Sequence, residues 1–405
     1  MKNSIYTDHT LIIDVLETSI KFHNLDLILG FLPKGSYLVG GYIRDIILKR
    51  LTEKIDVDIV VPLNAIEIGK KIADNIGSKF IILDEKRKVV RIILNHISID
   101  IANQISSTIE GDLCNRDFSI NSIAFLFDEK LLFDPLNGLK DLQISLLKTY
   151  SEINLLNDPL RILRCFRFVS ELYFKVDLKL VKFIKKNKEK LYLVARERIN
   201  YEIQKIVHGA NAIDAVLLIK KLNIFGSHNL YEDSFFLDLK KINYAELSQV
   251  EKEKFLPSFF IAQILDVVSL EKLKFSKAEI AKTKLMRKWH FFLKNKNTSQ
   301  LAELDRFKLH QELEMFLPSF IFYLPQNLRF AWLNRWRDKE DKLFHPSNLL
   351  NGDVIKKNFK IEDGPILGDL LEYLSKELAF QRLNNFDEAI YKAKQWIEQN
   401  APKCD

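Results

Sequence analysis

The sequence predicts an α+β fold: a mixed-sheet head ending near Leu147, followed by helices to the end of the chain. Three observations carry this. Between residues 37 and 101, short runs rich in β-branched residues alternate with turns and one helical stretch. After Leu147, Gly and Pro become scarce and a 3.6-residue apolar period dominates. The run Leu38-Val39-Gly40-Gly41-Tyr42-Ile43-Arg44-Asp45, followed by Asp56-Val57-Asp58, reads as strand, glycine turn, short helix and acid-bearing strand.

The elements follow in order. Residues 11–32 have helical periodicity. Strands are predicted at 37–39, 55–61, 80–84, 89–94 and 97–101, with a helix at 64–76 between the second and third. Pro318, Pro325 and Pro346 are expected breakpoints in the helical remainder. No repeat and no low-complexity tract is present.

At 405 residues the chain exceeds one ordinary core, and two to four domains are expected. It is 47% hydrophobic and 28% charged, the composition of a globular chain. Its net charge of +7 suits a polyanionic partner, although a Lys-, Ile- and Asn-rich codon usage would give part of the same excess. Cys114, Cys165 and Cys404 have no paired spacing, so neither a disulfide framework nor a zinc site is expected. No apolar run is long enough to span a membrane. Residues 1–10 include Asp8 and lack a basic-then-apolar signal, so a cytoplasmic location is expected.

Asp56 and Asp58 are two apart, so on a strand they share a face. Two adjacent carboxylates repel and stay ionised comfortably when a cation sits between them. Oxygen ligands in this arrangement suit Mg²⁺, which also takes substrate phosphates. Gly40 and Gly41 would let backbone approach a phosphate at a helix start. A glycine turn alone is weak evidence, and an isolated Asp-x-Asp is often a solvated strand end. Joined at this spacing, with Arg44 and Asp45 between them, they point to nucleotidyl transfer.

Three further groups extend the constellation. Asp100 alternates with Ile97, Ile99 and Ile101, and a third carboxylate there could deprotonate a hydroxyl or complete a metal shell; the bland alternative is an exposed strand acid. In Asn115-Arg116-Asp117-Phe118-Ser119-Ile120-Asn121, Arg116 can fork onto phosphate, and Asp117 and Asn121 would share a helix face and could hold a ribose. Asp158 caps or opens a helix whose first turn suits Pro159, and Arg161 lies three residues on. Together they match the amine and ring-nitrogen edge of cytosine or adenine and mismatch guanine and uracil. By physics alone, a cap with an i,i+3 ion pair explains the same two residues. The lysine-rich runs 182–190 and 272–296 are read as solvated helix faces. Phe330, Trp332 and Trp336, with Arg329, Arg335 and Arg337, are read as helix packing rather than base stacking.

These residues resemble the motifs of the class II tRNA nucleotidyltransferases, the bacterial CCA-adding enzymes and their poly(A) polymerase relatives. Leu38 to Asp58 is similar to their first motif. Asn115 to Asn121 resembles R-R-D-F-T-x-N, with Asn115 at the first Arg. The stretch from Asn157 resembles E-D-P-L-R-x-x-R-x-x-R-F, with Asn157 at the acidic position. Glu197-Arg198-Ile199 with Glu202 resembles their later E-R-x-x-x-E helix. The resemblance covers residues 36 to about 208.

It implies a polymerase-β-like nucleotidyltransferase head at 1–147, a base-recognising helical neck at 148–210, a helical body at 211–345 and a tRNA-binding tail at 346–405. It implies Mg²⁺ on Asp56 and Asp58; Asp100, read from its place on the strand, stands beside them as the candidate third catalytic acid. Nucleotide contacts are implied at Gly40, Gly41, Arg44, Arg116, Asp117, Asn121, Asp158, Arg161, Arg164 and Arg167, with Asp158 and Arg161 pairing with the incoming base. The implied partners are CTP, ATP and the acceptor end and elbow of tRNA. Leu349 to Ile355 and Gly364-Pro365-Ile366-Leu367-Gly368 resemble the tail of the tRNA-adding members, the Gly-Pro turn reversing the chain between helices. Residues 102–113 form a short link where full CCA-adding members carry a longer loop, which points to a CC-adding enzyme working beside a separate A-adding one. Full CCA addition, A addition, poly(A) polymerase activity and an inactive RNA-binding relative are the alternatives.

Overall fold

The computed structural model describes residues 6, 8–51, 53–226, 235–294, 296 and 301–400. Two compact units divide the chain, Met1–Ile224 and Phe225–Asp405. The expected head and neck both fall in the first unit.

The first unit opens with α1 (His9–Phe22), capped by Asp8, whose carboxylate accepts from the Leu11 N–H at 2.9 Å. The helical period expected at residues 11–32 is broken after Phe22. Asn24 takes a left-handed backbone (φ 55°), and a one-turn helix α2 (Asp26–Leu29) follows. Next come β1 (Tyr37–Val39), α3 (Gly41–Ile47), β2 (Ile55–Val61), α4 (Ala65–Ile76), β3 (Lys79–Asp84), β4 (Val89–Leu94) and β5 (Ile97–Asn103). Each predicted strand is present, and β5 runs two residues further than its apolar alternation.

After α5 (Ile109–Cys114), a hairpin of β6 (Ala124–Leu126) and β7 (Leu131–Phe133) completes a seven-stranded sheet, ordered β3-β4-β5-β2-β1-β6-β7. Three-residue strands are too short to display a period, which hid this hairpin from the sequence reading. Within this sheet β2 and β5 pair in parallel, and the other five pairs are antiparallel. Alternation on β2 buries Ile55, Val57 and Ile59 and turns Asp56 and Asp58 to the opposite face.

Asp134 then closes a turn, accepting from the Gly138 and Leu139 N–H groups at the start of α6 (Gly138–Gln143). The two-residue strands β8 (Leu146–Leu147) and β9 (Lys175–Val176) pair in parallel around α7 (Glu152–Asn157) and α8 (Arg161–Leu172). Helices α9 (Leu178–Asn187), α10 (Arg196–His208) and α11 (Ala212–Leu222) finish the unit. The core face of α8, with Ile162, Leu163, Phe166 and Val169 buried, packs against α10 and α11.

The second unit is helical: α12 (Gln249–Ile264), α13 (Val267–Lys272), α14 (Lys277–Lys294), α15 (Glu303–Leu313), α16 (Leu317–Phe320) and α17 (Gln326–Arg337). Pro318 sits in the first turn of α16 and Pro325 is the N-cap of α17, as breakpoints should. The aromatic–arginine cluster on α17 does pack. The Trp336 indole donates to the Glu314 carbonyl at 2.7 Å, Trp332 lies against His310 and Phe344, and Arg335 and Arg337 fork onto Asp341 and Glu251. Of the cluster's three aromatic side chains, Phe330 alone stays exposed. In the tail, α18 (Gly352–Phe359), α19 (Pro365–Ala379) and α20 (Phe386–Asn400) enclose their own apolar cluster around Ile355, Leu370 and Leu374. Asn351 caps α18, and Pro365 opens α19 after Gly364. Cys404 lies outside the described residues.

Candidate active site

The turn between β1 and α3 places backbone against a carboxylate. Gly40 has φ 80° and ψ −137°, a conformation that L side chains rarely adopt. A Cβ there would also lie 2.8 Å from both Asp58 Oδ2 and Arg116 Nη1. The dihedral therefore requires glycine at this point, and a side chain would also displace the Asp58 carboxylate and the Arg116 guanidinium. Gly41 begins α3 beside the Arg44 guanidinium.

Asp56 is exposed and Asp58 half-buried on the same face of β2. Burial pushes the Asp58 carboxyl above its usual range; Arg116 opposes that shift, and Asp100 and Asp56 add to it. Like charges crowded in this way are relieved by a cation. Asp100 stands directly beside Asp58 in the parallel register. Its carboxylate is taken by Arg91 on β4, with Nε and Nη2 donating to its two oxygens at 2.7 and 2.8 Å. Asp56 and Asp58 line the cavity described below, whereas Asp100 does not. Among the described residues no three His, Cys, Asp or Glu side chains converge as a metal cage. An all-oxygen pair on a polar wall fits Mg²⁺, which binds through one or two carboxylates plus substrate phosphates.

The expected helical pairing of Asp117 and Asn121 is corrected. Phe118 is extended, and only Ser119–Asn121 forms one turn of 3₁₀ helix. The side chains still meet: Asp117 Oδ1 accepts from the Asn121 amide and from the Phe118 N–H, both at 2.9 Å. Asp117 Oδ2 accepts from Arg164 Nε at 2.7 Å, and Asn121 Oδ1 accepts from Arg44 Nη1 at 2.7 Å. Arg44 in turn forks onto Asp45. These groups form a buried frame whose acceptors are used within the protein. Arg116 differs, because its Nε is buried without a protein partner, as a donor kept for an anion would be.

Asp117 is only 5% exposed. Burial alone would push its carboxyl up, but Arg164, Asn121 and Arg161 outweigh it and hold the pKa at about 2. A depressed carboxylate contributes stability above its unfolded pKa of about 3.9, and that contribution is lost as pH falls toward 2. Asp117→Asn should therefore lower urea-unfolding stability at pH 7 by about 2 kcal/mol and flatten the stability profile between pH ~4 and ~2. An unchanged acid limb in the variant would place the titration elsewhere.

Asp158 does not open the following helix. It ends α7 with an extended backbone, and α8 begins at Arg161 with Leu160 as its N-cap. The X-Pro step at Pro159 keeps Asp158 out of the helical region. Asp158 Oδ1 accepts from the Leu160 N–H at 3.3 Å and Oδ2 accepts from Arg198 Nη2 at 2.9 Å. Arg161 Nη1 donates to the Asn115 and Asn154 carbonyls at 3.1 and 2.9 Å. Among the described residues no ion pair joins Asp158 to Arg161, so each is oriented by other partners. Arg164 and Arg167 continue the same face of α8, Arg167 bonding Glu202 at 3.0 Å. The guanidiniums of Arg44, Arg164 and Arg167 lie 5.0, 5.6 and 4.9 Å from the centre of the buried Phe168 ring.

These walls enclose a cavity of about 760 Å³. It is lined by Gly40, Gly41, Asp56 and Asp58 from the sheet side and by Asp158, Arg161, Arg164 and Arg167 from the helices. Arg44, Arg116, Asp117 and Asn121 line it as well. Every candidate site residue except Asp100 is thus brought to one space. The sequence reading did not assign Arg198, Lys205, Arg50 and Lys54 to the site, yet they also line the cavity. Arg198 and Lys205 are seven apart on α10, a same-face spacing that could have flagged them. The charge balance of the wall, basic groups outnumbering acids, suits a triphosphate and a ribose-phosphate chain.

A family model described as the poly A polymerase head domain matches residues 36–148. A protein of Synechocystis sp. named CC-adding tRNA nucleotidyltransferase is 29% identical over 400 residues, covering 91% of this chain and 95% of the relative. A Geobacter sulfurreducens protein of the same name is 34% identical over 206 residues, 49% of this chain and 47% of the relative. Residues 36–148 thus match a poly A polymerase head domain, and over most of its length the chain is similar to tRNA nucleotidyltransferases. A Thermotoga maritima CCA-adding enzyme complexed with tRNA-CCA shares the fold at TM-score 0.70 and 21% identity, covering 97% of this chain and 99% of that one. A CCA-adding enzyme with CTP matches at TM-score 0.73 and 20% identity, over 99% and 100%. The Asp-x-Asp strand and the Asp-Pro-Leu-Arg segment meet across one cavity.

Proposed function

We propose that this nucleotidyltransferase adds two cytidines from CTP to the 3′ end of tRNA, with Mg²⁺, and stops before the terminal adenosine. The observation that carries the chemistry is the convergence of Asp56 and Asp58 with Asp158 and Arg161 on one basic cavity. Two observations favour stopping at CC. Several similar relatives, those of Synechocystis, Geobacter, Shouchella clausii and Halalkalibacterium halodurans, carry the name CC-adding tRNA nucleotidyltransferase. The link after β5 is also short and tied down. Only residues 104–108 separate β5 from α5. Within it, the Ile105 N–H donates to buried Asp112, and the Gln104 amide donates to the Ser106 carbonyl. A Cβ on Gly111 would lie 2.7 Å from Ser106 Cβ, so link and helix are in close contact. Adenine is larger than cytosine, and a clamped link of this length cannot follow a reshaped base pocket.

In the reaction, Asp56 and Asp58 would hold the divalent ion, which would supply charge neutralisation on the triphosphate. Arg116 donates its free Nε to phosphate. Asp158 accepts from the exocyclic amine of cytosine, and Arg161 donates to the ring nitrogen. The acceptor-end phosphates pass Arg198 and Lys205 at the cavity rim, and the tail helices grip the tRNA elbow by shape and backbone rather than sequence. Among the described residues no helix is long and apolar enough to cross a membrane, which accords with action in the cytoplasm. A separate A-adding enzyme would complete the end.

Transcripts of tRNA lacking the CCA end, and others ending in CC, offered labelled CTP or ATP and resolved on gels, test this. Two C additions and no A addition are expected. Robust A addition to the CC end would overturn the stop while leaving the family reaction intact. Failure to add either nucleotide would favour an inactive RNA-binding protein.

A further inference from the structure

Asp58, Asp100 and Arg91 lie side by side across β2, β5 and β4, each directly opposite the next in register. Neighbouring strands are about 4.8 Å apart, so an unrelieved Asp58–Asp100 pair would be repulsive. Arg91 resolves it by forking onto both oxygens of Asp100. Arg91 is the polar interruption of a strand whose Val90 and Ile92 are buried on the other face, so its side chain is held on the carboxylate face. A guanidinium fork of this geometry matches a carboxylate better than any other side-chain pairing and leaves few lone pairs for a cation. Asp56, by contrast, pairs in register with Ser98, which brings no charge.

We infer that Arg91 is a positioning residue that withholds Asp100 from the divalent ion, leaving a two-carboxylate site that the incoming triphosphate must complete. A site with two carboxylates holds Mg²⁺ weakly without phosphate oxygens, so ion and nucleotide are retained together. A third free carboxylate would hold the ion before nucleotide arrived. This rests on the metal reading of Asp56 and Asp58.

The test uses the full-length protein and Mn²⁺, followed by electron paramagnetic resonance without nucleotide or RNA. Arg91→Gln should bind Mn²⁺ about tenfold more tightly than the unaltered protein, because one positive charge leaves and one carboxylate is released beside Asp58. Arg91→Gln combined with Asp100→Asn should return to the original affinity, since the neutral pair preserves shape and removes both charges. An unchanged affinity in Arg91→Gln would overturn the inference. So would a double variant binding about tenfold more weakly than the unaltered protein, which would make Asp100 a ligand already. The double variant carries no uncompensated charge and keeps the test valid if the single one unfolds. Asp58→Ala serves as reference: undiminished Mn²⁺ binding there would instead remove the metal reading itself.

Discussion

Asp58→Asn will abolish nucleotide incorporation. The loss expected is at least about a thousandfold in single-turnover rate, since the metal-held triphosphate accounts for several kcal/mol of transition-state stabilisation. Asn keeps the side chain's volume beside Gly40, where a Cβ would stand 2.8 Å from Asp58 Oδ2, so the β1–α3 turn should survive. It removes the charge that the crowded carboxylates Asp56 and Asp100 make costly in the absence of a cation. Circular dichroism and tRNA binding should be unchanged. Asp56→Asn should behave alike, because it shares the face of β2. A variant that retained near-normal incorporation with folded protein would remove the carboxylate pair from the mechanism.

Asp158→Ala will relax base choice, and Arg161→Ala will weaken use of CTP. Asp158 is aimed by the Leu160 N–H and Arg198, and Arg161 by two backbone carbonyls, so each is presented to the cavity by different supports. With Asp158 gone, the acceptor for the exocyclic amine disappears, and the carbonyl of uracil no longer faces a carboxylate. Discrimination of CTP against UTP should fall by about 10- to 100-fold, the cost of one unpaired buried polar group. Arg161→Ala removes a charged donor and two carbonyl supports, so CTP affinity should fall without a gain for UTP. Comparing kcat/KM for all four nucleotides in each variant decides the matter. An Asp158→Ala protein with unaltered preference and reduced stability would return that residue to a purely structural turn.

The elements legible in the sequence are those with strong local periodicity. The alternation of β2 put Asp56 and Asp58 on one face, and that of β5 put Asp100 opposite Ile97, Ile99 and Ile101. The Gly-Gly turn was equally legible, because positive φ and close approach leave few residues to choose from. The β6–β7 hairpin was not, since three residues carry no usable period. Nor was the break in residues 11–32, where Asn24 tolerates a left-handed backbone that apolar spacing does not reveal.

At the site, local sequence named the chemical groups and tertiary structure assigned their partners. Asp117 and Asn121 do meet, but through an extended residue and a 3₁₀ turn rather than a helix face. Asp158 and Arg161 share a cavity, but they are oriented by Arg198 and by distant carbonyls rather than by each other. Asp100 reaches the carboxylate face as alternation requires, yet Arg91 claims it through a strand pairing that only the sheet order creates. By itself the sequence determined which side chains could serve nucleotidyl transfer, because residue type and two- or four-residue spacing are local properties. The tertiary structure decided which of those side chains are left free to act. Hydrogen bonds and ion pairs between residues dozens of positions apart exist only once the sheet and α8 have packed, so no local pattern encodes them.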